Sequence, residues 1–433
     1  MSKNNENKLV PRLRFPEFAM EGEWEILPLS KLSYEITEKT KGRKFKLMSI
    51  TSGVGLVSQI EKFGKEIAGN SYDNYYVLKK GDFAYNKSST KLYPEGEVAM
   101  LEKEENGAVP NSIFTCFSFD KNKIYPIFAK YPFINNIHGR WLKKFIAVGA
   151  RANGALQVNS KDLFSIPFPY PSFKEQQKIA ACLSSLDDVI TAESKKLEVL
   201  KEHKKGLLQN LFPQQGETVP KLRFKEFEDS GEWEERNLGD VVEKVGSGVT
   251  PLGGESNYRK NGRPFVRSQN VSWGFFLLND IVFIDEETHK SQISTELKTE
   301  DVLLNITGAS IGRSAVVNKH VAGGNVNQHV CIIRTVKMTL NPLYLNQYLI
   351  SDFGQKQIHN CQAGGNRQGL NFAQIRSFLI PLPTNLHEQQ KIANTLSSID
   401  DLINAQSQKI ETLKLHKKGL LQGLFPDVNE HNG

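Results

Sequence analysis

The sequence predicts an α+β protein written twice: two mixed α/β domains separated by two long antiparallel coiled-coil helices, with a pseudo-twofold internal repeat. Three observations predict it. A head segment and a tail segment each occur twice, the tails carry aliphatic residues at heptad spacing, and the stretches between them alternate strand patterns with short helices. At 433 residues the chain is about three times a common domain length, so more than one core is expected.

The heads come first. VPRLRFPEF at Val10 to Phe18 returns as VPKLRFKEF at Val219 to Phe227, and GEW at Gly22 to Trp24 returns at Gly231 to Trp233, both 209 residues later. The tails follow. EQQKIAACLSSLDDVI from Glu175 returns as EQQKIANTLSSIDDLI from Glu388, and HKKGLLQNLFP from His203 returns as HKKGLLQGLFP from His416, both displaced by 213. Repeats of this length are duplicated domains, since solenoid periods are far shorter.

Each tail predicts one long helix. Ile179, Leu183, Leu186, Ile190, Leu197, Leu200, Leu207 and Leu211 follow 4-3 spacing, with Glu193 and Lys204 in polar slots. Ile392, Leu396, Ile399, Ile403, Ile410, Leu413, Leu420 and Leu424 repeat it, with Gln406 and Lys417 in the same slots. That is the coiled-coil pattern. Ser172 with Glu175 and Asn385 with Glu388 have capping-box spacing, and Pro213 and Pro426 stop the helices. Each should run roughly 37 residues, or about 55 Å. Gly206 and Gly419 each cost ~1 kcal/mol in a helix interior and point to fraying or to close approach of a partner backbone.

The middles, 31–165 and 240–378, differ from each other. KFKLMSI at Lys44 to Ile50, RPFVRSQNV at Arg263 to Val271 and DVLLNITG at Asp301 to Gly308 read as strands, and NPLYLNQYLISDFGQKQI from Asn341 as helical. A shared frame with different contents suggests two readers built for different targets. The implied segments are a first domain over 1–173, a long helix over 174–212, a second domain over 213–386, a second long helix over 387–425 and a tail over 426–433.

Composition narrows the class. Hydrophobic residues at 39%, charged residues at 24% and a mean hydropathy of −0.41 exclude a mostly disordered chain. No apolar run approaches the ~18 residues of a membrane span. The start, MSKNNENKLV, lacks the apolar core of a secretory signal, which places the protein in the cytoplasm. Cys116, Cys182, Cys331 and Cys361 form no CxxC pair, so reduced thiols are expected and no metal site. The net charge of +7 resides in residues 1–173, which carry 25 basic and 18 acidic side chains. A balance of this size permits nucleic-acid binding without requiring it.

The LRFPEF and GEW head, the IP-x-P segment before EQQKIA, and the LSSLDD and HKKGLLQ helices resemble the specificity (S) subunit of a type I restriction-modification system. The resemblance covers nearly the whole chain. It implies two target-recognition domains, each reading one half of a split double-stranded DNA target, and no catalysis by the chain itself. It implies two modification subunits that methylate adenine with S-adenosylmethionine, and two restriction subunits that use ATP and Mg to translocate and cut DNA. No membrane partner is implied.

Two rivals were weighed on the residues. A self-contained methyltransferase needs Asn or Asp, two prolines and an aromatic. Asn341, Pro342, Leu343 and Tyr344 lack the second proline, and Asn341-Pro342 reads better as a helix start. Asp352-Phe353-Gly354 makes no glycine-rich cofactor loop, and GASIGRS at Gly308 to Ser314 lacks the spacing and lysine of a phosphate loop. A coiled-coil adaptor that binds no DNA is the second rival.

DNA contact calls for forked donors, amides and cations near glycine-containing loops. The first domain offers Arg43, Lys44, Lys87, Ser88, Lys91, Arg140, Lys143, Lys144, Arg151 and Asn153. The second offers Arg263, Arg267, Gln269, Asn270, Arg313, Asn327, Gln328, Arg367 and Gln368. GARAN at Gly149 to Asn153 and GGNRQ at Gly364 to Gln368 stand at similar places ahead of the IP-x-P segment.

Overall fold

The structure is a computed structural model, described here for residues 9–67, 71–88, 90–146, 156–362 and 369–426. It divides into two compact units, residues 1–192 with 410–433, and residues 193–409. Each long helix contributes one half to each unit. The helices run Phe173–Leu211 and Leu386–Leu424, 39 residues each, two more than the spacing predicted.

In the first unit the head docks as strand β1 (Glu25–Pro28), followed by β2 (Ser33–Glu35), β3 (Phe83–Asn86), β4 (Glu97–Met100), β5 (Phe114–Phe119) and β6 (Pro167–Tyr170). Strands β2, β5, β3 and β4 form an antiparallel sheet in that order, and β1 pairs with β6. Helices α1 (Pro126–Ile134) and α2 (Ile137–Leu142) cover the sheet. Phe83, Phe117, Phe119, Phe128, Phe133 and Phe168 are fully buried between them. Phe117 and Phe119 face this aromatic block while Phe114 and Cys116 face a second core with Met48, Ile50 and Leu78, so all six consecutive residues of β5 are buried.

The second unit repeats that order. Its strands are β7 (Glu234–Asn237), β8 (Val242–Ser247), β9 (Val302–Asn305), β10 (Ser314–Val316), β11 (Val330–Thr335) and β12 (Leu379–Leu382), and its sheet runs β8, β11, β9, β10, with β7 paired to β12. Helices α3 (Pro342–Ile350) and α4 (Asp352–Gln362) take the places of α1 and α2. Asn341 caps α3, its side chain accepting the Tyr344 amide at 3.1 Å, so the segment weighed as a catalytic signature is a helix start. The additions differ between units. The first carries a hairpin, Met48–Thr51 with Gly55–Ser58. The second carries a three-stranded sheet around Arg263–Val266.

The repeated motifs acquire their physical reason in the head-to-helix joint. Glu175, 1% exposed, receives a two-pronged bond from Arg14 at 2.8 and 2.8 Å and a third from the Trp24 indole at 3.0 Å. Glu388 receives the same fork from Arg223 at 2.8 and 2.9 Å, while the Trp233 indole nitrogen has no partner among the described residues. The capping-box expectation is therefore half met. Ser172 accepts the Glu175 amide and Asn385 accepts the His387 amide, but both carboxylates turn to a guanidinium, a stronger charge-assisted partner than a cap amide. The next residue works as well. Gln176 accepts the Tyr125 amide at 2.8 Å and donates to the Lys123 and Pro171 carbonyls, and Gln389 does the same with Asn341, Thr339 and Pro383. Lys178 then pairs with Glu17, and Lys391 with Glu226.

Pairing of the two helices is antiparallel within each unit. In the first, Lys417 pairs with Asp187, and Ile179, Ala180 and Leu183 share a core with Leu421, Leu424 and Phe425. In the second, Lys204 bonds Asp400 at 2.6 Å, and Leu211 and Phe212 share a core with Ile392, Ala393 and Leu396. Every predicted seam residue is buried or half-buried. Neither Gly206 nor Gly419 marks a break or a close approach: each is inside the continuous helix with open space beside it. The close approach falls instead at Gly423, whose carbonyl accepts the Leu13 amide at 2.8 Å and where a Cβ would meet Leu13 at 2.4 Å.

Replacing Arg14 by Ala should lower stability by about 3–5 kcal/mol, because it strands a buried carboxylate. Glu17→Ala, which removes a solvent-exposed pair with Lys178, should shift stability far less. Urea unfolding midpoints of the full chain check both, and equal shifts would contradict the assignment.

Candidate nucleic-acid interface

The sheet ends at a mouth that is built alike in both units. Strand β3 terminates at Asn86, paired with Phe114 on one side and Glu97 on the other. Strand β9 terminates at Asn305, paired with Val330, and its amide donates to the Arg313 carbonyl at 2.8 Å. Register therefore makes Asn86 the counterpart of Asn305, and Glu97 the counterpart of Arg313. The returning chain closes each mouth at the same place: the Leu156 amide donates to the Lys87 carbonyl at 2.8 Å, and the Leu370 amide to the Ile306 carbonyl at 2.9 Å.

A glycine precedes the charged residue in each hairpin, and each is pinned from the second covering helix. His138 on α2 lies with Nε2 3.0 Å from the Gly96 carbonyl and so carries the hydrogen there. Gln355 on α4 donates to the Gly312 carbonyl at 2.9 Å. Both glycines have φ near +88°, where L side chains are strained, and a Cβ would meet the Asn86 carbonyl at 2.5 Å or the Gln355 amide at 2.5 Å. His138 is fully buried between Tyr85, Tyr93 and Phe133, and desolvation, with Arg140 adding to it, pushes its pKa down to about 4.

Glu97 is 5% exposed. Its Oε1 accepts the Gly53 amide at 3.1 Å, while Oε2 has no hydrogen-bond partner among the described residues. Burial raises its pKa, opposed by the Gly53 amide, the Ser52 hydroxyl and Lys62. Glu97 is one of the residues lining a cleft of about 250 Å³, with Tyr93, Gly53, Met100, Lys130 and Lys417. Arg313 is half-buried with no hydrogen bond to its guanidinium among the described residues.

The sequence-predicted contacts divide sharply. Arg43 pairs with Glu38, Arg263 forks onto Glu286, and Arg267, Gln269 and Asn270 all bond Asp280. Asn327 caps the His329 amide, and Gln328 accepts the Thr250 hydroxyl. Arg140 donates to the Asn135 carbonyl, and Lys144 lies over the Trp141 ring. Lys44, Lys87, Lys91 and Lys143 have no side-chain bond among the described residues, and Lys87 and Ser88 sit at the first mouth. Arg151, Asn153, Arg367 and Gln368, with the GARAN and GGNRQ segments, lie outside the described residues. Glu97 is an acceptor and so falls outside a pattern of donors, and its strand-end position opposite Asn86 is not legible from spacing.

A charged side chain is held at the end of the sheet in both units, with opposite signs. Among the described residues no group of three or more His, Cys, Asp or Glu could hold a metal, and no helix is long and apolar enough to cross a membrane. The fold defines a duplicated two-domain protein with paired long helices. The chain belongs to the family of type I restriction modification DNA specificity domains, matched over residues 30–202 and 230–415. It is the non-catalytic DNA-recognition component of a type I complex, as in that family. It is 25% identical over 352 residues to the type I restriction enzyme MjaIX specificity subunit of Methanocaldococcus jannaschii, covering 79% of each. It is also 25% identical over 292 residues to the MjaVIII specificity subunit of the same organism, covering 65% of this chain and 67% of that one. Its fold matches the type I restriction-modification S subunit from M. genitalium with a TM-score of 0.61 at 15% identity, over 97% of this chain and 100% of that one.

His138 makes the first unit sensitive to acid. Its folded pKa lies below the unfolded value of about 6.5, so the unfolded chain gains a proton first. Stability is complete above pH 6.5 and should fall by roughly 3 kcal/mol as pH drops toward 4. His138→Gln should flatten that segment of the stability profile measured by urea unfolding.

Proposed function

We propose that each domain reads one half of a two-part double-stranded DNA target, and that the long helices set the gap and dock the methylating partner. The observation that carries this is the mouth built twice on one frame with different side chains. The segments 1–173 and 213–386 act as the recognition domains, 174–212 and 387–425 as spacer helices, and 426–433 as a tail. Lys44, Lys87, Lys91, Lys143 and Arg313, which have no internal bond among the described residues, are the best placed of the predicted contacts. The lysines supply phosphate neutralisation. Arg43, Arg263, Arg267, Gln269 and Asn270 first shape the loops that carry them, through their bonds to Glu38, Glu286 and Asp280.

Two modification subunits would supply S-adenosylmethionine for adenine methylation, and two restriction subunits ATP and Mg for translocation and cleavage, all in the cytoplasm. Val189 and Leu402, at equivalent places on the two helices, are both exposed apolar residues off the seam. Equivalent positions on duplicated helices suit two copies of one partner.

Mixed with its modification subunit, the chain should methylate a discrete two-part sequence, while the chain alone binds no S-adenosylmethionine. Methyl transfer by the isolated chain would refute the reading. Exchanging residues 31–165 for those of another reader should alter one half-sequence only. One added heptad in each helix should change the gap and leave both halves intact, as read by methylome sequencing.

A further inference from the structure

We propose that the hairpin position held by Glu97 in the first domain and by Arg313 in the second chooses a base in each half of the target, cytosine for Glu97 and guanine for Arg313. This rests on the DNA-reading function above and assigns its specificity to two residues.

The position is set by the frame in both domains. Each residue stands opposite the asparagine that ends the central strand, Asn86 or Asn305. Each follows a glycine whose carbonyl is held by a side chain of the second covering helix, His138 or Gln355. Such a site is rigid, as base discrimination requires, and its occupant is free to differ. The occupants differ as far as two side chains can, one accepting only and the other donating only.

Glu97 presents an unmet acceptor. Its Oε1 is satisfied by Gly53, its buried Oε2 has no donor among the described residues, and Glu97 is one of the residues that line a cleft. Buried polar atoms are nearly always paired, so this oxygen needs a donor from outside the protein, a water or a ligand. The major-groove edge of cytosine presents the N4 amine as donor. Adenine adds the N7 acceptor beside its amine, which would face the second carboxylate oxygen, and guanine and thymine present acceptors there. Cytosine is the base that fits. Arg313 has the complementary need: its forked donors have no partner among the described residues, and guanine alone offers two adjacent acceptors, O6 and N7.

The test uses the full chain in complex with its modification subunit, methylating a pool of DNA randomised over the target. Gln at either position carries the donor and acceptor pair that matches adenine, and at 97 it keeps an acceptor for Gly53. Glu97→Gln should shift one base of one half from cytosine toward adenine, and Arg313→Gln one base of the other half from guanine toward adenine, each by at least about tenfold in preference. All other positions should be unchanged. Unaltered target sequences in both variants, or loss of methylation by a folded variant with no new preference, would overturn the proposal. If thermal unfolding shows Glu97→Gln to be misfolded, the half-buried Arg313 decides the matter alone. A wild-type complex that methylates no discrete sequence would instead refute the DNA-reading function itself.

Discussion

The fork from arginine to a buried glutamate is the contact on which each unit depends. A carboxylate taken out of water is tolerated only with an excellent partner, and Arg14 and Arg223 supply two parallel bonds each. The glutamate is at the first turn of a long helix, and the arginine lies in a head segment that enters the unit as its edge strand. The following glutamine bonds the start of the first covering helix. Two consecutive helix residues thus join head, covering helix and loop, which is why EQQK and LRF recur together.

Placed on that joint, the two sheets share order and register while their additions diverge. The frame holds a strand end, a pinned glycine and a returning chain at constant geometry, so a single side chain can be exchanged without disturbing the core. Aromatic packing under the first sheet and aliphatic packing under the second reach the same backbone arrangement. Volume and patterning matter more to a core than identity.

The architecture was legible because helices and duplications leave long periodic signals. The seam positions, the stops at Pro213 and Pro426 and the helix start at Asn341 could all be read from spacing. The arginine-glutamate fork could not, because its partners lie some 160 residues apart and each had a plausible local use as head or cap. The same blindness affected the interface. Arg267, Gln269 and Asn270 looked like free donors, yet Asp280 across a turn takes all three. Glu97 carried no local signature, since a lone acid in a strand is ordinary until its opposite neighbour is known.

The polar slots of the helix seam show how a duplicated chain settles on pairing with itself. In an antiparallel pair of identical helices, one residue meets its own copy. Here Glu193 meets Gln406, its counterpart 213 residues on, and Gln406 donates to both the Glu193 carbonyl at 2.9 Å and its side chain at 2.6 Å. Two glutamates at that place would repel and two glutamines would leave Lys409 without the carboxylate it now pairs with. Unlike copies satisfy each other where like copies do not, so the difference at this one position favours the first helix joining the second over either joining its own kind.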